Sequence, residues 1–175
     1  FMLDVSVSYN RYKFLGHEFL TWLWFLMENH RDYIQEKIPD LTSLEIGNRV
    51  VLENRFNEAV ETITIKGDDA GLEEGILSLR KGAVVTELNI SYTSEDREWQ
   101  FSLKGESLGI SGLKTPQTSP AESGEDIEGV VLERIWLYGK IIDFVNVVFQ
   151  EFIKVRISED WENRVVPEIR KWITA

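Results

Sequence analysis

Between residues 83 and 104, apolar and polar side chains change places almost residue by residue. Val84, Leu88, Ile90 and Tyr92 alternate with Val85, Glu87, Asn89 and Ser91, the period of a half-buried strand. After a polar turn at Thr93-Ser94-Glu95-Asp96, one face takes Trp99, Phe101 and Leu103, and the other takes Glu98, Gln100, Ser102 and Lys104. The spacing predicts a β-hairpin. Residues 71–81 ahead of it read as a short helix, with Arg80 and Lys81 at the negative end of its dipole and Gly82 as its stop.

Elsewhere the same reading gives further elements. Leu3, Val5 and Val7 alternate with Asp4 and Ser6, which predicts a first strand. Residues 16–30 form a helix that is apolar nearly all round and therefore deeply buried. Residues 31–44, with Pro39-Asp40, read as a polar connector, and 49–53 and 59–66 as two strands joined by the loop 54–58. Strand, strand, helix, strand, strand argues an α+β fold with a largely antiparallel sheet, packed with a buried N-terminal helix and two C-terminal helices.

Residues 115–127 carry Pro116, Pro120 and Gly124 among acidic and hydroxyl side chains, which predicts a mobile acidic loop. Beyond it, Val131, Ile135, Tyr138, Ile142, Val145, Phe149 and Phe152 recur at alternating steps of four and three, beside a second row of Leu137, Ile141, Phe144 and Val148. So broad a stripe needs cover on more than one flank. Either the sheet and helix 16–30 supply it, or the first row packs against a second subunit. Ser158 reads as the N-cap of a last helix, which Pro167 kinks or restarts. The chain is expected to be one domain: an α+β part at 1–114, the loop 115–127, and helices at 128–175 on the same core.

Composition narrows the function. The chain has 175 residues, 43% of them hydrophobic and 28% charged, an ordinary balance for a globular protein. The net charge of −11 sets it apart from a free-standing basic nucleic-acid module, unless its cations gather on one face. With no cysteine, disulfides, thiolate metal sites and thiol catalysis are excluded, and a cytoplasmic location fits. No signal-peptide pattern is present, the start at Phe1 reads as a fragment or processed chain, and the densest apolar run, 19–27, is too short to cross a bilayer.

Catalytic patterns are absent. His17 and His30 fall at opposite ends of one predicted helix without metal-ligand spacing, and read as surface or helix-end histidines. Gly105-Glu106-Ser107-Leu108-Gly109 lacks the nucleophile-elbow form, and Gly105, Gly109 and Gly112 lack the lysine of a phosphate loop, so this run reads as a turn-rich connector. Glu87 and Glu98 are expected to face each other across the hairpin. As part of a metal-dependent nuclease they would need a cation; otherwise they are solvated strand charges. Trp22, Trp24, Trp99 and Trp136 fall on apolar faces and read as core rather than as base-stacking platforms. No cofactor is expected.

The stretch Leu72-Glu73-Glu74-Gly75-Ile76-Leu77-Ser78-Leu79-Arg80-Lys81-Gly82-Ala83-Val84-Val85-Thr86-Glu87-Leu88-Asn89-Ile90-Ser91-Tyr92 resembles the C-terminal part of the recombination-associated protein RdgC family. Gly16-His17-Glu18-Phe19-Leu20-Thr21-Trp22-Leu23-Trp24 upstream, and an acidic segment before a long apolar helix downstream, are similar too. The resemblance implies a bacterial protein whose relatives form ring-shaped dimers, bind duplex DNA without sequence preference and restrain the recombinase RecA. Family members are longer, and the loop that contacts DNA in them reads Lys66-Gly67-Asp68-Asp69 here.

Lys66, Arg80, Lys81, Arg97, Lys104 and Lys114, all near element ends, are the candidate DNA-binding residues. Lys66, Lys81, Lys104 and Lys114 are expected to gather near one rim of the sheet, touching phosphates without reading bases. Otherwise they neutralise Glu73, Glu74, Glu87 and Glu106. The expected function is a non-catalytic, sequence-independent association with double-stranded DNA that influences recombination, as a homodimer. The alternatives are a protein-interaction module of the same fold and a metal-dependent nuclease.

Overall fold

The computed structural model describes residues 5–56, 59–67, 70–118 and 126–175. Its elements run in the order α1 (Val5–Asn29), α2 (Arg31–Lys37), β1 (Ser43–Phe56), β2 (Ala59–Lys66), α3 (Ala70–Arg80), β3 (Val84–Ser94), β4 (Arg97–Lys104), β5 (Ile110–Lys114), α4 (Ile127–Arg156) and α5 (Val166–Thr174), the last preceded by a π-helical turn at Trp161–Val165. The fold is α+β. Its single five-stranded sheet is antiparallel throughout, in the order β2-β1-β3-β4-β5.

One face of the sheet is the floor of the core. Leu52, Val85, Leu88, Ile90, Tyr92, Trp99, Phe101 and Leu103 project from it and are fully buried. Helices cover that face. Phe144 of α4 meets Tyr92 and Phe101 edge to face, and Phe19 of α1 packs between Phe149 and Phe152 of α4. The indole of Trp99 donates to the Leu137 carbonyl at 3.0 Å, tying the middle of α4 to β4. Trp172 of α5 lies against Trp24 and Phe25 of α1. Such apolar burial, worth roughly 2 kcal/mol per large side chain, is the main stabilising term.

Several sequence expectations are corrected. Val5 and Val7 belong to α1 rather than to a strand, because three alternating positions do not outweigh the long helical stretch that continues through them. Residues 31–44 are not a plain connector. They hold α2, anchored by buried Ile34, and the first residues of β1. β1 begins six residues earlier than predicted and runs through much of the expected loop at 54–58, of which 57–58 lie outside the described residues. The Gly-rich run forms a turn and then a fifth strand, β5. Ser158 does not cap a helix: its hydroxyl donates back to the Val155 carbonyl at 2.7 Å. The expected restart at Pro167 is found: it falls in the first turn of α5, where its missing N–H costs nothing. Of the expected mobile loop, 119–125 lie outside the described residues, and Ile127 already belongs to α4.

Candidate functional site

Among the described residues no helix covers the other face of the sheet, and its side chains are mostly polar, with buried Val51 and exposed Val60 among them. Antiparallel partners share a face, so the register places Lys66 beside Arg49, Lys104 beside Glu87, and Lys114 beside Gln100 on this open side. Arg49 Nη2 lies 3.5 Å from Glu87 Oε2. Lys66, Arg49, Glu87 and Lys104 thus cross four strands in a diagonal row, with the two lysine backbones about 16 Å apart. Lys114 stands on β5, one strand farther and four residues back along β4, at a similar distance from Lys104.

A polar network fixes the middle of this face. Asn89 Oδ1 accepts from Gln100 Nε2 at 2.9 Å and from the Asn48 backbone N–H at 3.3 Å, while its Nδ2 donates to Ser102 Oγ at 3.0 Å. The Asn89 amide fits because β1 bulges between Ile46 and Val50, where Gly47 leaves room that a Cβ would take from it. Ser91 donates to Glu98 at 2.8 Å, and Arg31 faces Glu45 at 3.6 Å. Glu45, Glu87 and Glu98 on this face therefore already have partners, while Glu53, on the same side of β1, forms no ion pair among the described residues. Among the described residues, Lys66, Lys104 and Lys114 form no ion pair, and all three are exposed.

The six predicted cations do not form one cluster. Lys66, Lys104 and Lys114 share the open face. Lys81 ends α3 where β3 begins, while Arg97 follows the turn at the opposite end of β3, roughly 30 Å away along an 11-residue strand. The Arg97 guanidinium stacks on Trp136 at 5.6 Å. Arg80 is engaged differently: its Nε and Nη2 donate to the Ile173 carbonyl at 2.9 and 2.8 Å, binding α3 to the end of α5. Sequence reasoning missed Arg49, Asn89, Gln100 and Ser102. The signal was present in the amide and hydroxyl residues that fill the polar positions of the hairpin.

Glu87 and Glu98 do not face each other. The register sets Glu87 opposite Lys104 and Glu98 opposite Thr93, because the tight two-residue turn offsets the two acids along the hairpin. Among the described residues no three His, Asp or Glu side chains are grouped to hold a metal ion. His17 is buried within α1, with Nε2 3.8 Å from Glu106, rather than at a helix end or on the surface.

The apolar stripe of α4 divides in two. Val145 and Phe152 are buried and Phe149 is half-buried against Phe19, so this end of the row is consumed by the chain's own core and offers no interface. Val131, Ile135, Tyr138 and Ile142 remain exposed, as do Ile127, Leu132 and Trp136. Trp136, expected in the core, lies 52% exposed beneath Arg97 and Lys140. The buried residues of α4 begin only at Leu137; before it, Arg134 lies against residues 115–118 and Trp136 against Arg97 without burial. Among the described residues no helix is long and apolar enough to cross a membrane.

No family model matches the chain, and no curated protein or solved structure is significantly similar to it.

Proposed function

We propose that the protein is a non-catalytic, sequence-independent DNA-associated protein of the RdgC type, and that it meets duplex phosphates with the open face of its sheet. The observation that carries this reading is the trio Lys66, Lys104 and Lys114, without carboxylate partners among the described residues on a face where Glu45, Glu87 and Glu98 are engaged. Spacings of about 14–16 Å, with flexible lysine stems, let neighbouring lysines reach phosphates on the two sides of a major groove ~12 Å wide. Asn89, Gln100 and Ser102 supply neutral donors of the kind that contact phosphate and sugar. The −11 charge of the whole chain opposes the approach of DNA from any other side.

Fluorescence anisotropy with a labelled duplex of mixed sequence, at 50 and 200 mM salt, tests it. Binding at low salt that weakens at least tenfold at high salt is expected for three phosphate contacts. Absence of binding at 50 mM salt removes the proposal.

A second reading, a protein-interaction module, draws on the exposed half of the α4 stripe. Val131, Ile135, Tyr138 and Ile142 continue, uncovered, the same four-and-three spacing that α1 covers at Phe149 and Phe152, and a second copy of the chain would bury them. Light scattering reads this directly: a dimer that Ile135→Glu converts to monomer supports it, and a monomeric wild-type chain at 100 μM or so contradicts it.

A further inference from the structure

A cavity of about 360 Å³ lies between α1, the end of α3, the start of β3 and α5, within the size range of small-ligand sites. It is remote in the fold from the open sheet face, since it lies on the helical side of the molecule. Leu79, Val84, Trp161, Ile169 and Ile173 give it apolar walls, and His17, Glu18, Thr21 and Arg170 border it with polar groups. Its far wall is held in place by the grip of Arg80 on the Ile173 carbonyl. Trp161 enters it from the π-helical turn, an irregularity that occurs frequently at functional sites.

The polar groups around the cavity are committed, with one exception. The Thr21 hydroxyl donates to the His17 carbonyl at 2.9 Å, and Glu18 Oε2 accepts from Arg156 at 2.6 Å. Glu168, two residues before Arg170, faces Arg164 at 3.7 Å and His30 at 3.9 Å. Arg170 has no carboxylate partner among the described residues. We infer that this cavity binds a small amphipathic monocarboxylate, with its tail on Trp161 and Ile169 and its carboxylate on the Arg170 guanidinium. The planar fork of arginine matches a carboxylate in two parallel hydrogen bonds. The single unpaired guanidinium offers one such fork, which matches one carboxylate. The volume suits a ligand of about twelve non-hydrogen atoms.

Calorimetric titration of the whole chain with decanoate tests the site, with decanol and decyltrimethylammonium as matched probes. Decanoate is expected to bind with one-to-one stoichiometry and a Kd of about 10 μM. Arg170→Gln should weaken decanoate about tenfold and leave decanol unchanged. Ile173→Trp, which fills the cavity from a half-exposed wall, should abolish both. If Ile173→Trp does not fold, the exposed Arg170→Gln decides alone. No saturable decanoate binding, equal affinity in Arg170→Gln, or equally tight binding of decyltrimethylammonium overturns the inference.

Discussion

Gly16 and Gly105 meet backbone to backbone where α1 passes over the end of β4. A Cβ on Gly105 would lie 2.9 Å from the Gly16 carbonyl oxygen, and a Cβ on Gly16 would overlap the Gly105 carbonyl. Neither obstacle is a flexible side chain, so the helix must lift to accept one. Gly16→Ala should therefore cost about 3 kcal/mol by urea unfolding. Gly139→Ala in α4 is the matched control: its Cβ meets nothing within 4 Å, and improved helix propensity should stabilise the chain by about 0.5–1 kcal/mol. Equal effects at the two positions would contradict the close packing.

The bond from the Trp99 indole to the Leu137 carbonyl fixes where α4 crosses the sheet. Trp99→Phe removes a fully buried donor and leaves a small void. A loss of about 2 kcal/mol is expected in denaturant unfolding. The near-ultraviolet circular dichroism should also lose a fixed indole signal.

Much of this architecture is legible in the sequence, because the period-two pattern of the hairpin and the apolar rows of α4 are direct consequences of one-sided burial. The alternation over Trp99, Phe101 and Leu103 is found as expected, with all three fully buried. Where it fails, local backbone geometry is responsible. The register slips between Val51 and Leu52 on β1, opposite Thr86 on β3, so Val85 turns inward and Val84 lies half-buried, the reverse of simple alternation. Trp136 fits the apolar pattern of α4 yet is exposed, because helix periodicity says which residues share a face and not how far the covering sheet extends. The open face was only half legible. Lys66, Lys104 and Lys114 follow from strand ends, whereas the engagement of Arg80 by the Ile173 carbonyl and of Arg97 by Trp136 depends on packing between segments far apart in the chain.

Acid sensitivity should centre on Glu151. Burial pushes its carboxyl upward, but hydrogen bonds from Lys154 and Tyr33, with the Lys37 charge, outweigh that and hold it below the usual carboxylate range. A lowered folded value means that its stabilisation is present above the unfolded pKa and is lost as pH falls through the folded one. Glu151→Gln should therefore be less stable than wild type by about 1 kcal/mol at pH 6, and the gap should close by about pH 3. A gap that stays constant between these pH values contradicts the assignment.

Two tyrosines should ionise late. Burial, joined at Tyr33 by the hydrogen bond to Glu151, pushes Tyr33 up to about 12, and burial alone pushes Tyr92 up to about 12. Stability carried by these raised groups is complete below about pH 10 and is lost as pH rises through about 12. A phenolate absorbance titration should show late protons that the Tyr33→Phe and Tyr92→Phe changes each delete in turn. Titration of all five tyrosines together near pH 10 would contradict it.

Whether the open sheet face holds DNA is decided by the salt dependence of affinity, compared between wild type and a Lys66→Glu, Lys104→Glu, Lys114→Glu variant. Removing three phosphate-binding ammonium groups from the open face should flatten the slope of log affinity against log salt by about 2.7 and abolish measurable binding at physiological salt. Lys13→Glu, Arg134→Glu and Lys171→Glu together impose the same charge change on the helices, away from that face, and should cost far less. Equal losses in the two triple variants would mean that net charge, and not the open sheet face, governs the encounter.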